Sequence, residues 1–246
     1  MFKKTADTLF FLIFVYTFYL GLFLVASILE ALGRIKVVGR QNLPFVGARG
    51  AFIVSNHPST VEPLFLHALA FPWVFRNPFR YFPWTPGDRR SYYDPWYFWW
   101  MRKLRVIPVA RNRQGERNDP SALWSMIRTA SRGEYVLLFP EGTRTYKAAL
   151  KQGCHATANG RRLGKLKLGI GMLLVQAQTP CVPIWVDGAE RVVPPGRLFP
   201  RLWHKITVYI GKPFMADFSS DKEGWQKATQ LVTNQLLNLA NQAHDK

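Results

Sequence analysis

The chain has 246 residues, which is enough for one domain with a full hydrophobic core and short for two compact domains. Lys and Arg number 33 against 15 Asp and Glu, and the formal net charge of +18 predicts an anionic partner: nucleic acid, lipid headgroups or a phosphorylated substrate. The two cysteines, Cys154 and Cys181, make no convincing disulfide framework and lack the paired spacing of a zinc site. We therefore expect reduced thiols on a cytoplasmic body.

The first predicted element is an apolar N-terminal helix. Residues 9–29 form 21 consecutive positions without a charge, LFFLIFVYTFYLGLFLVASIL. A helix needs about 20 apolar residues to cross the bilayer core, whereas a signal peptide has an apolar core of about 7–15 residues. Residues 1–30 are therefore predicted to be a retained membrane anchor. The many Phe and Tyr residues leave open a helix that lies partly in one leaflet. Arg34, Lys36 and Arg40 follow the segment, and this positive charge predicts a cytoplasmic body.

Strands and helices then alternate along residues 31–246. Short apolar or alternating runs predict strands at residues 35–39, 50–57, 104–111, 134–140, 179–188 and 204–214. Helical spacing of apolar residues predicts helices at residues 61–70, 121–133 and 168–178, and a C-terminal helix that begins with a capping box of Ser220 and Glu223. The alternation predicts an α/β fold: one domain with a mixed, largely parallel sheet flanked by helices.

A histidine and a carboxylate follow the second predicted strand, in the loop SNHPSTVEP. Histidine accepts a proton near neutral pH because its unperturbed pKa is about 6.5. Glu62 lies five residues after His57, from where its carboxylate can swing back to one ring nitrogen and orient the imidazole. With no Ser or Cys nucleophile beside it, the pair predicts direct deprotonation of a substrate hydroxyl. The structural alternative is a histidine that caps a turn and a solvated carboxylate in the first helical turn.

Aromatic residues dominate residues 89–105, RRSYYDPWYFWWMRKLR, with seven between Tyr92 and Trp100. Amphipathic rings settle at the headgroup level of a bilayer, and flanking cations attract anionic lipid. This pattern favours a membrane-facing surface over a buried aromatic helix. Such a segment can also stack single-stranded nucleic acid, but the apolar N-terminus argues against a nucleic-acid partner.

The strand at residues 134–140 runs into FPEGTR, which is residues 139–144. Arg144 offers a planar guanidinium that binds phosphate through two hydrogen bonds. Gly142 permits close backbone approach and leaves N–H groups free to face an anion, while Glu141 can orient Arg144 or accept a hydrogen bond from the substrate. The alternative is a turn after the proline with an exposed ion pair. The strand at residues 104–111 brings a second arginine, Arg111, and two arginines at one sheet edge would form a phosphate site.

Taken together, these motifs resemble the glycerolipid and lysophospholipid acyltransferases of the 1-acylglycerol-3-phosphate acyltransferase type. The His-x4-Asp block of that family is similar to NHPSTVE, its strand ending in arginine to RVIPVAR, its third block to FPEGTR, and its apolar block around a proline to CVPIWV. The order and gaps fit over roughly residues 35–215. Lys167-Leu168-Gly169 also resembles the K-x-G that lies between the third and fourth blocks.

The chain departs from that family at two places. Glu62 stands where the family has aspartate, so the loop must accommodate a side chain longer by one methylene. Residues 145–166 form a longer connection than usual and contribute Lys147, Lys151 and Arg161 among other cations. This insertion is expected to be a basic flap, over the site or against lipid headgroups, or a solvated loop.

The resemblance implies transfer of an acyl group from a thioester, on coenzyme A or acyl carrier protein, to the free hydroxyl of a lysophospholipid. The acceptor it favours is 1-acylglycerol-3-phosphate, which would give phosphatidic acid. His57 would be the general base and Glu62 its partner, and backbone N–H groups near Gly142 would stabilise the oxyanion. The substrate-binding residues would be Arg111, Glu141, Gly142, Thr143, Arg144 and Lys167. Neither a bound cofactor nor a metal is implied.

Three other functions stay open on the sequence. The acceptor can be a different lysophospholipid or a lyso-aminolipid, whose headgroup needs no phosphate clamp. A non-enzymatic protein that binds membrane surfaces or nucleic acid would use the charge but not the histidine. A lipase is disfavoured because no G-x-S-x-G nucleophile elbow occurs in the chain.

Overall fold

The computed structural model describes residues 2–43, 50–60, 62–110, 120–194, 199–201 and 203–243. The chain begins with a continuous helix of three parts: α1 (Phe2–Phe14), a π-helical turn (Val15–Tyr19) and α2 (Leu20–Ala31). Within the described residues, Thr5–Ala31 is the one helix whose length and apolar composition suffice to cross a membrane.

This N-terminal helix packs along the body of the protein on one side and is apolar on the other. Its buried side chains are Phe11, Val15, Tyr19 and Ala26. Its exposed apolar side chains include Leu9, Ile13, Leu24, Val25 and Ile28. Near its start, Asp7 forms an ion pair with Lys103, and near its end Glu30 pairs with Arg40 at 2.6 Å. The helix is therefore attached to the rest of the chain at both ends.

The core of the body is a five-stranded sheet with the order β1-β9-β8-β2-β5. Its strands are β1 (Ile35–Val38), β2 (Ala51–Ser55), β5 (Tyr135–Leu138), β8 (Cys181–Asp187) and β9 (Ile206–Ile210). All pairings are parallel except that of β8 with β9. The predicted mixed, largely parallel sheet is confirmed. Two small ribbons complete the strands: β3 (Thr85–Asp88) with β4 (Val106–Val109), and β6 (Cys154–Ala156) with β7 (Arg162–Gly164).

Helices cover both faces of the sheet. Beyond the N-terminal helix they are α3 (Glu62–Arg76), α4 (Pro78–Tyr81), α5 (Ser121–Ser131), α6 (Thr145–Gln152), α7 (Gly169–Ala177), α8 (Ala189–Val192) and α9 (Lys222–Gln242). Alternate residues of each strand point to opposite faces. Ile53 of β2 packs with α3 and the N-terminal helix, whereas Phe52 packs with α5, α7 and α9. Both faces are apolar, as a buried parallel sheet requires.

The start of the C-terminal helix differs from the sequence prediction. The cap of the C-terminal helix is Asp221 rather than Ser220, because the Asp221 carboxylate accepts the Gly224 N–H at 2.7 Å. Glu223 does not complete a capping box and instead pairs with Lys227, one turn on, at 2.7 Å. The aromatic segment at residues 89–105 forms a π-helical turn (Arg89–Tyr93) and a 3₁₀ helix (Trp96–Lys103). Several of its rings are exposed, with Trp96 at 82%.

Candidate active site

The carboxyl ends of β2 and β5 bring the two predicted motifs together. The two strands are parallel neighbours, with Val54 opposite Leu138, so the loops that follow them leave the same edge of the sheet. The backbone N–H of Thr145 donates to the carbonyl of His57 at 2.8 Å. The ring of His57 stacks on that of Phe139, with centroids 4.5 Å apart. The histidine loop and FPEGTR therefore form one site, as the sequence predicted.

His57 and Glu62 form the expected pair. Nδ1 of His57 lies 3.3 Å from Oε2 of Glu62, and the two side chains are 20% and 0% exposed. Because a carboxylate only accepts hydrogen bonds, Nδ1 carries the proton and Nε2 keeps its lone pair. The other carboxylate oxygen of Glu62 accepts the backbone N–H of Ser59. Glu62 is thus a buried residue that orients the ring, and the solvated alternative is wrong.

Glu141 lies behind the histidine. It is fully buried, and its carboxylate accepts the N–H of His57 at 3.0 Å, the hydroxyl of Thr145 at 2.6 Å and the N–H of Gly164 at 2.8 Å. Burial raises the pKa of the Glu141 carboxyl, while these three hydrogen bonds oppose the shift. Protein donors surround the Glu141 carboxylate, which holds the backbone of the histidine loop. A contact of Glu141 with substrate stays a prediction.

The turn after Glu141 depends on the conformation of its glycine. Gly142 has a φ of +70°, the left-handed conformation that favours glycine. Its N–H donates to the carbonyl of Phe139 at 3.0 Å, so this N–H is not free to face an anion. Within the part of the chain that the structure describes, the N–H groups of Thr143 and Arg144 have no acceptor. The backbone donors available near Gly142 are therefore the N–H groups of the two residues that follow it.

Arg144 and Lys167 border the same turn. Arg144 is half-buried and precedes α6, with its guanidinium carbon 5.5 Å from the centre of the Tyr146 ring. The N–H of Lys167 donates to the carbonyl of Pro140 at 2.9 Å, and its side-chain stem passes over Gly142. Both cations border the turn, and their contact with substrate stays a prediction. No acidic side chain of the described residues forms an ion pair with either.

Arg111 lies outside the described residues. The strand that precedes it, β4, is parallel to β3. Trp84, just before β3, forms a parallel bridge with Val136 of β5. The carboxyl end of β4 therefore points to the same edge as those of β2 and β5.

Three residues that hold the site were not singled out in the sequence. The side-chain amide of Asn56 donates to the carbonyl of Val186 at 2.9 Å and accepts its N–H at 2.8 Å, which attaches the histidine loop to β8. Thr145 contacts both His57 and Glu141. Gly164 has no room for a side chain, since a Cβ there would lie 2.6 Å from the Glu141 carboxylate. Only the tertiary structure reveals these roles, because each residue is far from its partner in sequence or is of a type that is common in loops.

The insertion at residues 145–166 is neither a free flap nor a solvated loop. It consists of α6 and the β6–β7 hairpin. The hairpin is held by Arg161, whose guanidinium binds both oxygens of Asp187 at 2.6 and 2.9 Å, and by Asn159, which donates to the last carbonyls of α9. This unit, hereafter the α6–hairpin module, borders the site through the bond from Gly164 to Glu141.

No cluster of three or more potential metal-ligating side chains occurs among the described residues. The donor set at the site consists of one histidine and two carboxylates that protein hydrogen bonds already engage. The arrangement can therefore orient a base beside cations and backbone donors, which suits attack by a hydroxyl on a carbonyl carbon.

Comparison with known proteins gives three findings. The family model named Acyltransferase matches residues 34–187. A 1-acyl-sn-glycerol-3-phosphate acyltransferase of Bacillus subtilis is 27% identical over 176 residues, covering 63% of this chain and 81% of that protein. A chloroplastic 1-acyl-sn-glycerol-3-phosphate acyltransferase of Brassica napus is 27% identical over 163 residues, and the match spans 66% of this chain but only 40% of the plant protein.

A similar fold occurs in a solved structure. The crystal structure of the 1-acyl-sn-glycerophosphate (LPA) acyltransferase PlsC from Thermotoga maritima aligns over 97% of both chains, with a TM-score of 0.53 and 21% identity. The similarity extends over the N-terminal helix as well as the sheet.

Proposed function

This chain belongs to the acyltransferase family and is an O-acyltransferase, and from that premise we propose that it acylates the free hydroxyl of 1-acylglycerol-3-phosphate to give phosphatidic acid. The observation that carries the proposal is the oriented pair of His57 and Glu62 beside the FPEGTR turn, at 3.3 Å. The named relatives act on the same class of acceptor. A non-enzymatic binding protein would not need an imidazole held in one tautomer.

His57 is the general base in this proposal. As the acceptor oxygen attacks the thioester carbonyl, Nε2 takes the hydroxyl proton, and Glu62 stabilises the imidazolium that forms. The tetrahedral intermediate then collapses, the C–S bond breaks, and His57 returns the proton to the leaving thiolate. Among the backbone N–H groups near Gly142, those of Thr143 and Arg144 are the proposed stabilisers of the oxyanion.

The acceptor phosphate is proposed to bind Arg144 and Lys167. Arg144 can bind two phosphate oxygens at once, and Lys167 places a second cation over the same turn. Holding the phosphate fixes the distance between the glycerol hydroxyl and the base, and such positioning can supply a large part of the rate. Arg111 remains a candidate third cation on the grounds of sequence. The acyl donor is proposed to be a thioester of coenzyme A or acyl carrier protein.

The N-terminal helix is proposed to lie in one leaflet rather than to span the bilayer. Asp7 and Glu30 are separated by about 35 Å of helix, and both contact the body of the protein. A spanning helix would leave the body at one surface, whereas this helix runs alongside it. Its exposed apolar face and Trp96 would enter the acyl and headgroup region, with the basic body on the cytoplasmic side.

The test is turnover by the purified protein with defined lysophospholipids, analysed by mass spectrometry. We expect phosphatidic acid from lysophosphatidate with the wild type, and at least a roughly 100-fold lower kcat for His57→Ala. The variant should retain its circular dichroism and its binding to vesicles, which shows that only the chemistry is lost. Product from another lyso acceptor but none from lysophosphatidate would refute the acceptor assignment. Full turnover by His57→Ala would refute the mechanism.

A further inference from the structure

The α6–hairpin module carries positive charge that the acceptor site does not use. Residues 145–167 contain six Lys or Arg and no Asp or Glu. Arg161 is occupied by Asp187, and Lys167 belongs to the acceptor site. Among the remainder, Lys147, Arg162 and Lys165 are exposed and form no ion pair within the described residues.

The module also exposes an apolar side chain among these cations. Leu150 is 84% exposed and lies one turn after Lys147 on the outer face of α6. The inner face is packed, with Ala148 fully buried against Gly164. An apolar residue with a basic rim on an open surface suits a macromolecular partner better than a small ligand.

The module lies on the side of the sheet away from the N-terminal helix. Leu163 of β7 packs in the layer of α5, α7 and α9, whereas the N-terminal helix packs with α3 on the opposite face. A surface in this position does not share the proposed membrane-facing side. The charge is therefore better suited to a soluble acidic partner than to lipid headgroups.

The module is also directly connected to the catalytic histidine. Gly164 donates to Oε2 of Glu141 at 2.8 Å, and Oε1 of the same carboxylate accepts the N–H of His57 at 3.0 Å. A partner that binds the module therefore lies near His57. Acyl transfer needs a thioester donor, which must be delivered while the acceptor occupies the membrane side.

We propose that the α6–hairpin module is the docking surface for an acidic acyl carrier protein that delivers the acyl thioester. The proposal rests on the acyltransferase function proposed above. Lys147, Arg162 and Lys165 pair with carboxylates of the carrier, and Leu150 contacts an apolar residue between them. Acyl-coenzyme A brings the same reacting thioester but no protein surface, so it does not need the module.

The experiment compares two triple charge reversals in the full chain. The module variant is Lys147→Glu with Arg162→Glu and Lys165→Glu. The matched control reverses three exposed cations elsewhere: Arg128→Glu, Lys212→Glu and Lys222→Glu. Both are assayed with lysophosphatidate and the same acyl chain on carrier protein or on coenzyme A. Binding of labelled acyl carrier protein is measured separately in a His57→Ala background, where turnover is expected to be at least roughly 100-fold slower.

We expect the module variant to lose at least roughly 10-fold in kcat/KM with the carrier-protein donor and less than about 2-fold with acyl-coenzyme A. Binding of the carrier protein should weaken in parallel, and the control variant should keep the wild-type kcat/KM with both donors. The proposal would be overturned if the module variant lost kcat/KM equally with both donors or lost none with the carrier-protein donor. It would also be overturned if the loss of kcat/KM followed weaker binding to anionic vesicles. A wild type that uses only acyl-coenzyme A and binds no carrier would overturn it while leaving the acyltransferase function intact. If neither donor gives product, the proposed function fails, and carrier binding that the module variant abolishes would still support the docking surface.

Discussion

Removal of the buried Glu141 carboxylate tests whether this residue positions the histidine loop or binds substrate. The carboxylate accepts three hydrogen bonds, from the backbone of His57 and Gly164 and from the Thr145 hydroxyl. In Glu141→Ala the Gly164 N–H loses its acceptor, and the His57 N–H keeps only the hydroxyl of Thr145 at 3.2 Å. A buried donor left unsatisfied costs about 1–3 kcal/mol. With the cavity left by the side chain, we expect a total loss of about 3 kcal/mol.

In a chain of this size, 1 kcal/mol shifts Tm by about 2–4 °C, so Glu141→Ala should lower Tm by about 6–12 °C. Glu141→Gln should cost less, because its amide oxygen can still accept from His57 while its NH₂ faces the Gly164 N–H. Activity should fall through kcat, since a catalytic group displaced by about 1 Å can lose roughly 100-fold in rate.

The assay is thermal unfolding together with steady-state kinetics below the unfolding range, with Glu134→Ala as the matched control. Glu134 lies just before β5, at the opposite end of the strand, and accepts the indole N–H of Trp84 at 2.7 Å and the guanidinium of Arg105 at 2.9 Å. The control should lower Tm without lowering kcat. A Glu141→Ala protein with unchanged Tm and kcat would refute the positioning role. A raised KM for the acceptor at unchanged kcat would show substrate contact instead.

Two further substitutions test the acceptor site and the module. Arg144→Ala removes the proposed phosphate clamp, worth about 1.5–3 kcal/mol. It should raise the KM for lysophosphatidate about 10–100-fold with little change in the KM for the donor. Arg128→Ala, on the exposed face of α5, is the control, and equal effects of Arg144→Ala on both KM values would contradict the clamp. Gly164→Ala places a Cβ 2.4 Å from that of Ala148 and 2.6 Å from the Glu141 carboxylate. Such overpacking should cost about 1–3 kcal/mol, measured as a lower Tm, and an unchanged Tm would show that the hairpin moves freely.

The sequence was sufficient to predict the order of strands and helices because the signals there are local. Runs such as VLLF and FIVS are apolar on both faces, and helices α5 and α7 carry apolar residues at helical spacing. The neighbouring strand ends then follow from the parallel pairing of β2 with β5. For this reason the sequence alone assigns His57 and Arg144 to one site.

The partners of Glu141 and Gly142 were not predictable in the same way. Whether a carboxylate after a strand faces outward to a ligand or inward to the backbone depends on the burial of its side chain, which the short motif does not encode. Glu141 faces inward because Gly164, 23 residues later, has an N–H that needs an acceptor. The cap at Asp221 was missed for a simpler reason, since Ser219, Ser220 and Asp221 are all good N-cap residues and differ only in where the backbone turns.

The backbone hydrogen bonds of the histidine loop share one physical cause. Past the end of β2, the backbone leaves the sheet, so its N–H groups have no ladder partner and need acceptors because the loop is buried. Glu62 accepts from Ser59, and Glu141 accepts from His57. Glu62 therefore performs two tasks, since it accepts the Ser59 N–H and also orients the His57 ring. A substitution that keeps the charge but changes the reach, as glutamate for aspartate at position 62 does, is tolerated only if both contacts of the carboxylate are kept. In this chain the longer side chain keeps both, to the Ser59 N–H and to Nδ1 of His57.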